Sequence, residues 1–282
     1  MNVKSSLFLL CFLYFSFSII AQSGWTREKS SMFLKLDYST FSADKYYTPS
    51  GIELTTAKFR QNSFNLYGEY GLKDRLTLIT SMPLLRRNSF KTSEPVYGIG
   101  DLRMELKYRL LKSFPLAISV APEIPTGRKN AFSSSKSDPN DKINLPTGDG
   151  EFNVWTTLAA SGSVGKVYSS IYGSYNFRTK YKGLSFRDLY QLGFEVGVNP
   201  MKDLWFNTKI RAQFSTGDSK YPELGFVRGD GTTYTLISAE AYYKVSSKWG
   251  FSATYLTGGD FIAPFKNIYI APYFSIGLIR EN

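Results

Sequence analysis

The chain has 282 residues, a net charge of +11 from 34 basic and 23 acidic side chains, one cysteine and no histidine. Without histidine and with a single thiol, the ordinary zinc, copper and iron–sulfur sites are excluded, as are Ser–His nucleophiles and internal disulfides. The basic residues alternate with apolar ones and form no patch along the sequence, which argues against a nucleic-acid surface. We therefore expect no cofactor, no metal site and no nucleic-acid partner.

The chain begins with a targeting sequence. A short basic region at Lys4 precedes an apolar run over residues 7–20, which ends at Ala21. This run is shorter than the ~20 apolar residues of a spanning helix, and the pattern is typical of a secretory signal peptide. We expect cleavage after Ala21, so that residues 1–21 are removed with the only cysteine and residues 22–31 form a short periplasmic segment.

Alternating apolar and polar residues recur from residue 32 to the end of the chain. The stretch GDLRMELKYRLL, residues 100–111, alternates apolar with charged residues at every position from Leu102 to Leu110. A period of two is the period of a β-strand, whereas the same apolar residues would scatter around a helix. Twelve such strands are predicted, at residues 32–40, 59–71, 75–84, 100–111, 115–124, 151–162, 167–178, 188–198, 204–215, 233–245, 250–257 and 267–279.

The connections between these strands alternate in length. Long connections include 41–58, 125–150 and 216–232, and tight turns such as 72–75 and 163–166 lie between them. An even number of strands with long loops at one end and short turns at the other is typical of an outer-membrane β-barrel. A soluble β-sandwich or barrel also alternates, but strands of about ten residues suit a tilted membrane crossing better than the soluble norm of about five or six.

The predicted fold is therefore all-β: a single antiparallel up-and-down transmembrane β-barrel of about twelve strands over residues 32–282. We expect long extracellular loops, short periplasmic turns, both termini in the periplasm, and a location in the outer membrane of a Gram-negative bacterium. Aromatic residues beside the short turns suggest a girdle at the periplasmic interface. The predicted girdle residues are Tyr70, Phe114, Tyr168, Trp205 and Trp249.

The polar face of each strand is expected to line the interior of the barrel. By alternation this face carries a slight excess of basic over acidic side chains, which would favour anions. The alternative is that these charges pair with one another and fill the interior. The candidate lumen-lining residues are Arg103, Glu105, Lys107, Arg109, Arg178, Glu195, Lys209, Arg211 and Glu240. Among them, the leading candidate for a functional surface is a group of five cations: Arg103, Lys107, Arg109, Lys209 and Arg211.

Acidic residues give little indication of catalysis or of metal binding. Asp149 and Glu151 flank a glycine just before a predicted strand, and two such carboxylates could contribute to a calcium site. The ligand spacing of a recognised calcium loop is missing, so we expect a turn with solvated carboxylates. The known outer-membrane barrel enzymes use a catalytic histidine, which this chain lacks. We therefore expect no enzymatic activity.

Several short segments occur in the order seen in a known outer-membrane family. They are GIGDL at 98–102 with Lys107-Tyr108, PTG at 125–127 and TGD at 147–149. On these segments the chain resembles the barrel family named after the meta-pathway of phenol degradation. The segments GWT at 24–26, DKYYT at 44–48 and TGDGEFN at 147–153 make it more similar to barrels from Bacteroidetes-type bacteria. The resemblance implies an outer-membrane barrel that transports small, aromatic molecules.

We expect a passive channel or transporter for small solutes, with aromatic or anionic molecules as the candidate cargo. The alternative is a non-conducting structural or surface-interaction barrel whose long loops meet an external partner. The expected partners are outer-membrane lipid, the barrel-assembly machinery and the unidentified solute. Because the chain ends Ile279-Arg-Glu-Asn282 without a terminal aromatic residue, recognition by that machinery must use Phe274 and Ile276 or follow another rule.

Overall fold

The computed structural model describes residues 22–221 and 229–282, so the predicted signal peptide lies outside the described residues. Within them, no helix is long and apolar enough to cross a membrane. The described residues form sixteen strands: β1 (Met32–Tyr47), β2 (Glu53–Lys73), β3 (Leu76–Phe90), β4 (Val96–Gly98), β5 (Leu102–Arg109), β6 (Leu116–Ile124), β7 (Phe132–Ser134), β8 (Lys142–Asn144), β9 (Asn153–Val164), β10 (Val167–Arg178), β11 (Leu189–Met201), β12 (Leu204–Ser215), β13 (Tyr234–Lys244), β14 (Trp249–Gly259), β15 (Ile268–Tyr269) and β16 (Tyr273–Glu281).

Twelve of these strands close into one antiparallel barrel, and the short strands β4, β7, β8 and β15 accompany its loops. Each long strand pairs with the next long strand along the chain, and β1 pairs with both β2 and β16. At this seam the N–H of Met32 donates to the side-chain oxygen of Asn282 at 2.6 Å, and the N–H of Asn282 donates to the carbonyl of Met32. The described strands thus leave no open edge, and the predicted fold class is confirmed.

The ends of the barrel differ in the length of their connections. Pairs of residues at 74–75, 165–166 and 202–203 join strands at the end where β1 begins and β16 finishes. The other end carries the longer connections, among them 125–152, which contains β7 and β8. Short turns lie on the periplasmic side of outer-membrane barrels and longer loops outside, so this arrangement defines the orientation of the molecule.

The outer face of the barrel is apolar and the inner face is polar. On β5, Met104, Leu106 and Tyr108 are exposed, whereas Glu105 and Lys107 between them are buried. The same alternation runs along β6 and β11. A closed barrel with all strand hydrogen bonds satisfied and an apolar outer belt meets the requirements of a lipid bilayer. The chain is an outer-membrane barrel.

The first hairpin is longer than predicted. The predicted loop at 41–58 is wrong, because β1 continues to Tyr47, β2 begins at Glu53, and the two strands pair almost to the tip. A β-bulge between Ala43 and Lys45 interrupts the register. One residue of β1, Asp44, lies opposite three residues of β2, and the next buried side chain of β1 after Ala43 is Tyr46, so strict alternation breaks here and hid this part of the strand in the sequence.

The predicted aromatic girdle fits Tyr70 and Trp249, which are exposed on the outer faces of β2 and β14, and Phe114, which is exposed in the turn between β5 and β6. The prediction is wrong for Tyr168 and Trp205, which point inward. Tyr168 lies over Gly197 of the neighbouring strand, where a Cβ would be 2.0 Å from its ring. Trp205 stacks on Tyr242, with ring centroids 5.2 Å apart. These rings fill the periplasmic end of the interior instead of contacting lipid headgroups.

The N-terminal segment, residues 22–31, crosses the periplasmic end of the barrel. The N–H of Gly24 donates to Oγ of Ser161 on β9 at 2.8 Å. Three residues later, the N–H of Arg27 donates to Oγ1 of Thr77 on β3, also at 2.8 Å. Because β5 and β6 separate β3 from β9 in the wall, the segment runs across the mouth between two inner-face contacts.

The three motif segments GIGD, PTG and TGD meet at the extracellular end. The carboxylate of Asp101 accepts the N–H of Gly127 at 2.9 Å and the N–H of Asp149 at 2.6 Å. A Cβ at Gly127 would lie 2.7 Å from the Cα of Gly148, so the two glycines allow a close backbone approach. These four residues, called the loop clasp below, fasten the loop between β6 and β9 to the start of β5.

Candidate functional site

The candidate site is the inner wall of the barrel. Glu105 and Lys107 on β5 are 6% and 4% exposed, and Glu195 on β11 is 2% exposed. A wide water-filled pore would leave such side chains in contact with water. The interior is therefore packed with side chains at these positions.

Ion pairs accompany this burial. Arg103 contacts Glu105 on the same strand, with Nη2 to Oε2 at 3.3 Å. Lys209 on β12 contacts Glu195 on β11, with Nζ to Oε2 at 3.3 Å. The guanidinium of Arg103 also lies over the ring of Trp155, with Cζ 5.4 Å from the centroid. Pairing reduces the cost of burying charge, so it explains how the interior holds these groups.

One ion pair reaches past two strands of the wall. Nζ of Lys35 on β1 lies 2.9 Å from Oε1 of Glu240 on β13, although β14 and β16 separate those strands. The side chain passes over Gly277 on β16, where a Cβ would lie 2.8 Å from Cε of Lys35 and 2.8 Å from Oγ of Ser252. Gly277 makes room for a contact that spans part of the lumen.

At the periplasmic end, the N-terminal segment contributes a charge to the interior. Nε of Arg27 lies 2.7 Å from Oε2 of Glu69, and both side chains are about nine-tenths buried. The hydroxyl of Tyr67 donates to Oε1 of Glu69 at 2.7 Å. The guanidinium of Arg27 also lies 5.0 Å from the ring centroid of Phe33. The segment is anchored in the lumen by a buried charge.

At the extracellular end, Arg178 holds Glu151. Nη2 and Nε of Arg178 donate to the two carboxylate oxygens of Glu151 at 2.9 Å and 3.0 Å, a strong bidentate geometry. The expected solvated carboxylate is wrong for Glu151, which is 1% exposed, because the loop folds back onto β10. No group of three or more Cys, Asp or Glu side chains within the described ranges could hold a metal ion.

The five cations proposed as one surface are divided between two strands. β5 and β12 are separated by β6, β9, β10 and β11 in the wall. Arg109 lies at the end of β5, where its carbonyl accepts Nε of Arg75 at 2.9 Å. The residues of the predicted group on each strand are Arg103, Lys107 and Arg109 on β5, and Lys209 and Arg211 on β12.

Sequence reasoning missed the glycines on the inner face of β11. Gly193 is opposite Tyr172 in register, and a Cβ there would lie 2.2 Å from the tyrosine ring. Gly197 is related to Tyr168 in the same way. Glycine in a strand often marks a close approach, and here it lets a ring lie along the wall. The available signal was the spacing of Gly193, Glu195 and Gly197 on one strand face.

No protein-family model and no curated protein sequence matches the chain. Among solved structures, the chain is similar to an outer-membrane channel from Pseudomonas putida F1, with a TM-score of 0.69 and 16% identity over 94% of this chain and 100% of that chain. It is also similar to the translocator domain of the autotransporter NalP from Neisseria meningitidis, with a TM-score of 0.54 and 11% identity over 91% of this chain and 90% of that chain. At these identities the likeness concerns the fold, and the chain shares the outer-membrane barrel fold with both.

Proposed function

We propose that this barrel is a passive channel for small solutes, and that the candidate lumen-lining residues border its passage. The observation that supports this is a closed barrel with an apolar outer belt whose inner wall still carries partly exposed charges. The side chains of Arg103 and Lys209 are 24% and 26% exposed although both point inward. Solvent that reaches an inner wall of this kind provides a route for small polar molecules.

The proposed passage is narrow. Buried charges at Glu105 and Lys107 occupy the interior, and the N-terminal segment anchored by Arg27 lies across the periplasmic end. A passage bounded in this way would exclude large solutes and select among small ones by charge. Selective transport of small solutes therefore suits this barrel better than general diffusion.

We further propose that the chain is a barrel of the meta-pathway type, similar to those of Bacteroidetes-type bacteria. The support is that its three motif segments converge in the loop clasp, where Asp101 accepts the N–H groups of Gly127 and Asp149. In this proposal residues 1–21 direct export, and the barrel-assembly machinery inserts the mature chain into outer-membrane lipid.

A liposome-swelling experiment tests the channel. Protein purified from outer membranes is placed in vesicles, which are then diluted into isotonic solutions of uncharged and charged solutes of increasing size. We expect swelling with the smallest solutes and slower swelling as their size increases, relative to vesicles that contain heat-denatured protein. Equal rates for folded and denatured protein with every solute would contradict the proposal.

A second candidate function is a non-conducting barrel that presents its loops to an external partner. It is favoured by the packing of the extracellular end, where Asp230 and Asn267 are 0% exposed. The amide of Asn267 donates to the carbonyl of Asp230 at 2.7 Å, and the N–H of Arg187 donates to the Asp230 carboxylate at 2.7 Å. Folded protein that fails to swell vesicles would favour this function.

A further inference from the structure

Unlike Arg103, Arg178 and Lys209, Arg211 has no carboxylate beside it among the described residues. Arg103 contacts Glu105 and Lys209 contacts Glu195. Across the described residues, the guanidinium of Arg211 has no ion pair or hydrogen bond, and its contact is with the ring of Tyr234, whose centroid lies 5.8 Å from Cζ. Arg211 is a half-buried cation without a counter-ion.

The carboxylate and amide groups around Arg211 are already engaged. Lys209 precedes Arg211 by two residues on β12, toward the periplasm. There the carboxylate of Glu195 is shared by Lys209 and the hydroxyl of Tyr168. Gln213 follows Arg211 by two residues on β12, toward the extracellular end. Its Oε1 accepts a hydrogen bond from Nε2 of Gln191 at 2.7 Å. The hydroxyl of Tyr234 donates to the same oxygen at 3.0 Å. The five N–H donors of the guanidinium therefore have no acceptor from these neighbours.

Aromatic and apolar surfaces border the same guanidinium. In register, Arg211 lies between Gly193 on β11 and Leu236 on β13. Because Gly193 has no side chain, the ring of Tyr172 covers that position, and the ring of Tyr234 lies on the other side of Arg211. A molecule that reaches Arg211 would meet two phenol rings and a leucine.

We propose that Arg211 is the centre of a binding site for the carboxylate of a small aromatic acid. The guanidinium suits a carboxylate because its planar donors can bind both oxygens at once. The rings of Tyr172 and Tyr234 supply the surface against which an aromatic ring packs. This inference rests on the proposed channel and names the chemistry of a solute for it.

The test is isothermal titration of benzoate into the full-length mature barrel in detergent micelles, with acetate and benzyl alcohol as probes that lack the ring or the charge. We expect benzoate to bind at least about tenfold more tightly than either probe. The variant Arg211→Gln should lose that preference, whereas Arg211→Lys keeps the charge and should retain part of it. Arg280→Gln is the matched control, because Arg280 is an exposed arginine over Trp249.

The outcomes separate the site from the channel. Benzoate binding that is unchanged in Arg211→Gln, or no tighter than that of benzyl alcohol, overturns the inference even if vesicles swell. Arg211-dependent benzoate binding by a protein that fails to swell vesicles supports the site and contradicts the channel. Both glutamine variants are checked for a folded band on an unboiled gel. If Arg211→Gln does not fold, the weakened binding expected of Arg211→Lys decides the question.

Discussion

Arg27 helps to hold the N-terminal segment in the periplasmic mouth through a buried ion pair, with Nε 2.7 Å from Oε2 of Glu69. In Arg27→Gln this charge is lost while Glu69 stays buried, and a buried carboxylate without its partner is strongly unfavourable. We expect the segment to leave the mouth more often. Single-channel recordings of the variant should therefore show longer openings and a higher mean conductance than the native protein.

Lys29→Gln is the matched control for this prediction, because Lys29 is exposed on the same segment and loses the same charge. Glu69→Gln should resemble Arg27→Gln, since it removes the other half of the pair. If Arg27→Gln and Lys29→Gln conducted alike, the ion pair would not control access to the lumen.

At the level of single residues, the sequence indicated which side chains share the polar face but not which of them touch. Lys35 meets Glu240 past two intervening strands because Gly277 leaves space between them. That contact depends on strand register and barrel closure, which a pattern of alternation does not contain. Trp205 shares a strand face with Lys209 and Arg211 by the alternation of β12, so its inward position was predictable and its place beside a turn was a misleading signal.

At the level of elements, alternation predicted all twelve barrel strands because each strand separates lipid from the interior along its length. The predicted strand boundaries were wrong near the extracellular end, where the strands no longer separate lipid from the interior. The first hairpin continues past the bulge after Ala43, and the last barrel strand begins at Tyr273 and not at residue 267. The convergence of the motif segments in the loop clasp also depends on tertiary structure, although the motifs themselves were visible.

The loop clasp predicts a specific intolerance of side chains at Gly127. A Cβ there would lie 2.7 Å from the Cα of Gly148, and such overpacking costs about 1–3 kcal/mol. Gly127→Ala should lower the free energy of unfolding by that amount. Gly162→Ala is the control, because a Cβ at Gly162 meets nothing within 4 Å. Urea titration of both variants in lipid vesicles measures the difference, and equal effects would argue against the clasp.

The tip of the first hairpin should loosen in acid. Glu53 lies outside the membrane and accepts hydrogen bonds from Lys45, with Nζ 2.8 Å from Oε1, and from the hydroxyl of Tyr47. These two hydrogen bonds hold the pKa of Glu53 below its ordinary value of 4.5. A lowered pKa means that the contacts stabilise the tip above pH 4.5 and are lost as the pH falls below that value. A spin label introduced by Ser50→Cys should become more mobile over this range. In Glu53→Gln the label should show no such change, and a change equal to that of the native hairpin would contradict the assignment.

At the level of the whole molecule, the alternation of apolar and polar residues suits the barrel both to the lipid around it and to the charged interior. The outer face meets lipid with apolar side chains, and the inner face holds charges that are paired at most of the candidate positions. The N-terminal segment and the extracellular loops then narrow the two ends. A barrel of twelve strands is intermediate between small filled barrels and wide porins, and the burial of Glu105 and Lys107 places this interior toward the filled end of that range.

Planar-bilayer recording of the purified native protein tests the central claim most directly. The account predicts small, stable conductance steps, because the passage is narrow. It also predicts a reversal potential under a salt gradient that indicates preference for anions, because Arg211 presents an uncompensated positive charge in the lumen. Protein that migrates as a folded barrel on an unboiled gel and yet produces no current would contradict the account.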